Sequence, residues 1–225
     1  MPLDSNATTI ISALRAVPKE ACGMVRDIRV RWALEEIGRP YRTELLAGIL
    51  TPRSAKYKEW QPFGQVPAYE DAKVRMFESG AILLHLGEQD ERLLPKEPQA
   101  RAQAISWFFA ALDTVETALA PLEWLDVFLS GKPWTEEARE PMLKMAHMRL
   151  TNLSNALGAK PWLTGEFTIA DLAMINVLHR AGAITKDYPN LAAYRARGEA
   201  RPAFKRAQAD HISDLGAPVK LGEEA

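Results

Sequence analysis

The sequence predicts a small α/β domain followed by a larger all-helical one, and three features lead there. Over the first ninety residues the apolar pattern switches between short β-branched runs and helical spacing. From about residue 98 onward there are only long segments of helical period and no convincing strand. Between the two lies "DERLLPKEPQA" (90–100), whose two prolines and mixed charge read as a linker. The expected division is therefore 1–90 for the α/β part, 91–97 for the linker and 98–225 for the helical part.

Taken in order, "TTIISAL" (8–14) is rich in β-branched residues and predicts a strand. "VRDIRVRWALEEIG" (25–38) has helix formers, apolar residues at Ile28, Trp32 and Leu34, and Gly38 followed by Pro40 as its stop. "YRTELL" predicts a second strand, and a polar stretch without clear pattern follows it. "QVPAYE" and "KVRMFE" flank a turn around Asp71 and read as a hairpin, and "SGAILLHLGE" reads as a short helix ending at Gly87. Three long helical segments come next: 98–119, 135–158 and 168–182, with two more between Leu191 and Ile212. In "GEFTIADLA", Thr168 can cap a helix and Asp171 can reach back to its N–H, with Phe167 and Leu172 in the staple positions. That pattern assigns Asp171 to folding rather than to acid catalysis.

Composition narrows the function classes. A formal net charge of -1, with acids and bases interspersed, lacks the concentrated basic face of a nucleic-acid binder. The apolar runs, such as Ala81 to Leu86, are too short to span a bilayer, and the N-terminus reads poorly as a secretory signal. A lone Cys22 excludes an internal disulfide framework and fits a reducing compartment. Four histidines, at 85, 147, 179 and 211, show no metal-ligand spacing. A cytoplasmic, metal-free protein is expected.

The informative stretch is "FGQVPAYEDAKVRMFESG" (63–80). Proline in a strand belongs at an edge, a start or a bulge, and a cis Val66-Pro67 bond would leave the Val66 N–H and C=O free to pair with an extended backbone. A trans bond is the commoner arrangement by far. Ser79, placed as an N-cap, and the free N–H groups behind it suit a carboxylate, and Glu78 can accept from an ammonium group. An amino-acid head group would fit both.

These residues carry a resemblance. "PFGQVPAYED" with "FESGAILLHLGE", "IRVRWALEEIGRPY" and "FTIADLAMINVL" together resemble the signatures of the glutathione transferase superfamily, in the right order, from Thr8 to about Phe204. The resemblance implies a thioredoxin-like N-terminal domain, an all-α C-terminal domain and a homodimer, with glutathione as co-substrate. It implies a cis Pro67, Val66 pairing with the cysteinyl backbone of glutathione, Glu78 and Ser79 holding the γ-glutamyl head, and Gln65 at the glycine end. A small apolar electrophile is the implied second substrate, with Val17, Pro18, Trp107 and Phe108 as lining candidates or else core.

One part of the pattern departs. Such proteins place a Tyr, Ser or Cys near the glutathione sulfur after the first strand, and this loop has no Tyr and no Ser beyond Ser12. The usual Ser position falls near Met24. Three substitutes are expected: Cys22 as a redox nucleophile near a helix start, Arg26 as a charged donor, and backbone N–H groups around Gly23 to Val25. Conjugation of glutathione to an electrophile is the leading expectation. Thiol-disulfide exchange through Cys22 and glutathione binding without catalysis are the alternatives.

Overall fold

The structure, a computed structural model, describes residues 2–23, 25–49 and 51–217. The described residues group into two compact units, one made of those up to 89 together with those from 201 on, and the other of 90–200.

The first unit is built on a four-stranded sheet in the order β2-β1-β3-β4. β1 (Ile10–Leu14) pairs parallel with β2 (Arg42–Leu46) and antiparallel with β3 (Ala68–Glu70), which pairs antiparallel with β4 (Arg75–Phe77). β1 is the inner strand of the parallel pair and is covered on both faces. Its residues from Ile11 to Leu14 are all buried, which is why its sequence runs apolar rather than alternating. The β3–β4 turn is shaped by Asp71, whose carboxylate accepts from the N–H groups of Lys73 and Val74 at 2.8 and 3.0 Å.

Helix α1 (Asp27–Ile37) ends at Gly38, whose φ of 69° closes it in the left-handed conformation. Every residue from Asp27 to Glu35 is buried, including two arginines, because α1 is packed by β1, by α3 (Ser79–Gly87) and by a helix from the far end of the chain. That last helix is α9 (Pro202–Asp214). Trp32 meets Phe204 edge-on at 4.9 Å, Arg201 grips Glu36 at 2.6 and 2.8 Å, and Arg206 reaches Glu35 at 2.5 Å. The expected division put everything from 98 onward in one helical part. Residues 202–214 instead group with the first unit, because their apolar and basic side chains complement the face of α1.

The stretch read as patternless contains α2 (Ala55–Trp60). Ser54 caps it by accepting from the Tyr57 N–H, and Tyr57 and Trp60 are its buried face. Six residues are too few for a helical period to show.

The second unit is helical: α4 (Pro98–Phe109), α5 (Glu116–Val127), α6 (Thr135–Leu157), α7 (Ile169–His179) and α8 (Pro189–Glu199). The single segment expected over 98–119 is divided by a π-helical turn at Ala110–Val115. The capping box forms as expected. The Thr168 hydroxyl accepts from Ala170 N–H, and Asp171 accepts from Thr168 N–H at 2.9 Å. Asp171 also accepts from Leu163 N–H and from the Tyr194 hydroxyl, so this buried carboxylate ties three segments together.

Candidate functional site

The sheet register brings the predicted residues to one end of the first unit. Ala68 stands opposite Phe77, so Pro67 and Glu78 are next in line on neighbouring strands. Ile11 stands opposite Tyr69, which puts the C-terminal end of β1 beside the start of β3. The loop after β1, with Cys22 and Arg26, therefore leaves the sheet at the same end. Val66 packs against the cluster of Leu14, Val17 and Ala21, joining that loop to the proline loop.

The Val66-Pro67 bond is cis. A ladder of hydroxyls holds the residues around it. Ala68 N–H donates to Ser12 Oγ at 2.7 Å, Ser12 and Tyr57 share a 2.8 Å bond, and the Tyr57 hydroxyl donates to the Gln65 carbonyl at 2.6 Å. Each hydroxyl can thus give one bond and take one. Burial pushes the Tyr57 phenol up, against the opposing pull of the Ser12 bond, so it stays protonated and remains a donor. Arg53 fastens the preceding turn by donating to the carbonyls of Gly64, Gly48 and Thr51. At Gly64, φ is 70°, a backbone conformation that favours glycine, and a Cβ there would stand 3.1 Å from Arg53 Cγ, a tight contact. Gln65 itself is exposed, Val66 half-buried and Pro67 buried.

At the other arm, Glu78 is exposed and has φ 69° and ψ 116°, the single described non-glycine residue at positive φ. That conformation is costly for a residue with a Cβ and marks the strand-to-helix corner as strained. The sequence placed Ser79 as the cap of the following helix. It is instead the first helical residue, Glu78 holds the cap position, and no side chain caps there. The Ser79 hydroxyl faces α1 instead, where the buried Arg29 donates to it at 3.4 Å.

Cys22 is exposed, and its own N–H donates to the Lys19 carbonyl at 3.2 Å. Arg26 is half-buried at the cap position of α1, with Asp27 behind it in the first turn. Met24 lies outside the described residues. The Gly23 amide, one of the expected anion donors, already donates to His211 Nε2 at 3.4 Å. His211 Nδ1 lies 3.1 Å from the Asp27 carboxylate, which Arg31 also holds at 2.7 Å. Burial pulls the Asp27 carboxyl upward, and Arg31 and His211 more than offset it, so it titrates below the usual range.

Of the residues offered as lining a second pocket, Val17 belongs to the first unit's core and Phe108 to the second's, while Pro18 is buried and Trp107 half-buried. A depression of about 460 Å³, lined by Thr8, Thr9, Arg39, Asp71 and Lys73 among others, lies at the opposite end of the sheet from Pro67. Among the described residues no cluster of three or more His, Cys, Asp or Glu could hold a metal ion, and no helix is long and apolar enough to cross a membrane.

Ser12, Tyr57, Arg29 and His211 are among the site-building residues that sequence reasoning did not find. Ser12 left a signal, since a polar residue inside an apolar central strand needs a partner. The other three depend on contacts that leave no local pattern.

Comparison with known proteins adds a second line. Residues 21–88 match the model for the glutathione S-transferase N-terminal domain, and residues 98–197 that for the glutathione S-transferase C-terminal domain. Glutathione S-transferase F14 of Arabidopsis thaliana is 30% identical over 188 residues, covering 71% of each chain. A disulfide-bond oxidoreductase of Escherichia coli, YfcG, is 30% identical over 146 residues, covering 63% of this chain and 66% of its own. Among solved structures, a glutathione transferase family member from Pseudomonas fluorescens, determined with two glutathione bound, is 23% identical. It superposes with a TM-score of 0.79 over 92% of this chain and 95% of its own, which establishes the shared fold.

Proposed function

This chain belongs to the glutathione S-transferase superfamily, and from that premise we propose that it binds glutathione at the cis-proline end of its sheet and joins the thiolate to a small electrophilic carbon. The observation that carries the reading is the β3–β4 register, which sets Val66 and Pro67 beside Glu78 and Ser79. In this reading the Val66 backbone pairs with the cysteinyl unit of glutathione. Glu78 accepts from the γ-glutamyl ammonium, Ser79 and the free N–H groups of α3 meet its carboxylate, and Gln65 reaches the glycine end. The thiol loses its proton to solvent, the thiolate attacks carbon, and the leaving group departs with the bonding pair.

Thiolate stabilisation falls to the loop after β1. With the Gly23 amide bonded to His211, the Arg26 guanidinium is the charged donor we assign to the sulfur. The reading extends to a homodimer in the cytoplasm, the usual state for the superfamily, and the single exposed Cys22 fits a reducing compartment.

A second reading has its own support. Cys22 is exposed near the start of α1, and one relative is named a disulfide-bond oxidoreductase. Here Cys22 would attack a glutathione mixed disulfide, releasing one thiol and forming a new disulfide that a second glutathione resolves. Titrating bound glutathione's thiol by ultraviolet absorbance separates the two. A pKa well below the roughly 8.5 of a free cysteine thiol supports conjugation. Reductase activity that disappears in Cys22→Ser, with an unshifted bound thiol, supports the second. Absence of glutathione binding overturns both.

A further inference from the structure

We propose that His211 is a positioning residue for the turn carrying Cys22 and Gly23, so that α9 sets the geometry of the thiol-activating loop. The catalytic part of this inference rests on the function proposed above. His211 lies on α9, 184 positions from Asp27, and is 2% exposed. The Gly23 N–H can only donate, so His211 Nε2 accepts, and the ring proton sits on Nδ1 facing the Asp27 carboxylate. Asp27 is held by Arg31, and Arg31 by Asp214 at 2.6 Å, back on α9. A chain of four side chains, all buried but the half-buried Asp214, therefore starts and ends on α9 and delivers one acceptor to one backbone amide. That amide belongs to a residue at φ 81°, where the loop reverses.

The same end of α9 touches the loop twice more. Gly216 N–H donates to the Arg15 carbonyl at 2.7 Å, and Leu215 packs against Leu14, Val17 and Ala21. The glutathione cradle, by contrast, is held by Ser12, Tyr57, Arg53 and Arg29. His211 should therefore affect what happens at the sulfur and leave affinity for glutathione nearly alone.

Two variants dissect the histidine. In His211→Asn the amide can still donate to Asp27 but is too short to reach Gly23. In His211→Gln the longer side chain carries an oxygen to the place of Nε2. The first measurement is hydrogen exchange of the Gly23 amide by NMR in the ligand-free protein. Exchange should rise roughly fivefold or more in H211N and stay near wild type in H211Q, as expected for loss of one buried hydrogen bond. With glutathione, H211N should raise the bound thiol's pKa and lower kcat, with affinity within about twofold, and H211Q should restore both. Unchanged Gly23 exchange in H211N would overturn the proposal. So would faster exchange with thiol pKa and kcat unmoved, since the bond would then be packing alone. If the wild type does not bind glutathione, the proposed function falls, and the exchange rates alone decide whether His211 holds the turn.

Discussion

Single residues at the two ends of the sheet carry opposite kinds of information. At the end away from Pro67, Asp71 accepts from two backbone amides and from the Tyr69 hydroxyl, and its pKa is lowered to about 2. Burial works against that shift, and the hydrogen bonds outweigh it. A carboxylate depressed in the folded state adds stability that is fully present above its unfolded pKa of about 3.9 and is lost as pH falls toward 2. Urea unfolding at pH 4, 3 and 2 should therefore show a shallower decline for Asp71→Asn than for wild type. At the other end, Glu78 pays in backbone strain for its place at the corner. Glu78→Gly should be more stable than Glu78→Ala by about 1 kcal/mol or more, because only glycine relieves positive φ. Both variants should lose affinity for glutathione, which titration calorimetry would measure. Equal stability of the two would show that the corner is unstrained.

At the scale of elements, α1 and α9 form the pair on which the first unit depends. Phe204 is 5% exposed and lies edge-on to the fully buried Trp32. Phe204→Ala should cost roughly 3–5 kcal/mol, read from the urea midpoint, with lost exchange protection in α1. A loss under 1 kcal/mol would mean that α9 is an accessory rather than part of the core. α7 is fixed differently, by its start. Asp171→Ala removes an acceptor shared by Leu163, Thr168 and Tyr194, and should cost about 3 kcal/mol. The Thr168–Asp171 box was legible in the sequence because its partners lie three residues apart. α2 was not, since its six residues are stabilised by the Ser54 cap and by burial of Tyr57 and Trp60.

For the whole molecule, the proposed activity makes stability depend on ligand. If glutathione binds only the folded chain, a free concentration of about 100 times Kd should raise unfolding free energy by about 2.7 kcal/mol. Urea melts with and without glutathione would check it, and an unmoved midpoint would contradict binding. The size of the shift gives Kd independently of any turnover assay, so it also covers the case of binding without catalysis.

The sequence alone determined the order of the four strands with α1 and α3, the all-helical second half, the folding role of Asp171 and membership of the superfamily. These are properties of spacing and local chemistry, written in neighbouring residues. Only the tertiary structure decided that residues 202–214 complete the first unit, that Arg29 donates to the Ser79 hydroxyl, and that Ser12 and Tyr57 brace the cis-proline loop. His211 is the limiting case. As one of four scattered histidines it carries no motif, and its meaning comes from a carboxylate and an amide more than 180 positions away. A buried polar group must find its partner wherever the fold brings one, and no local pattern encodes that meeting.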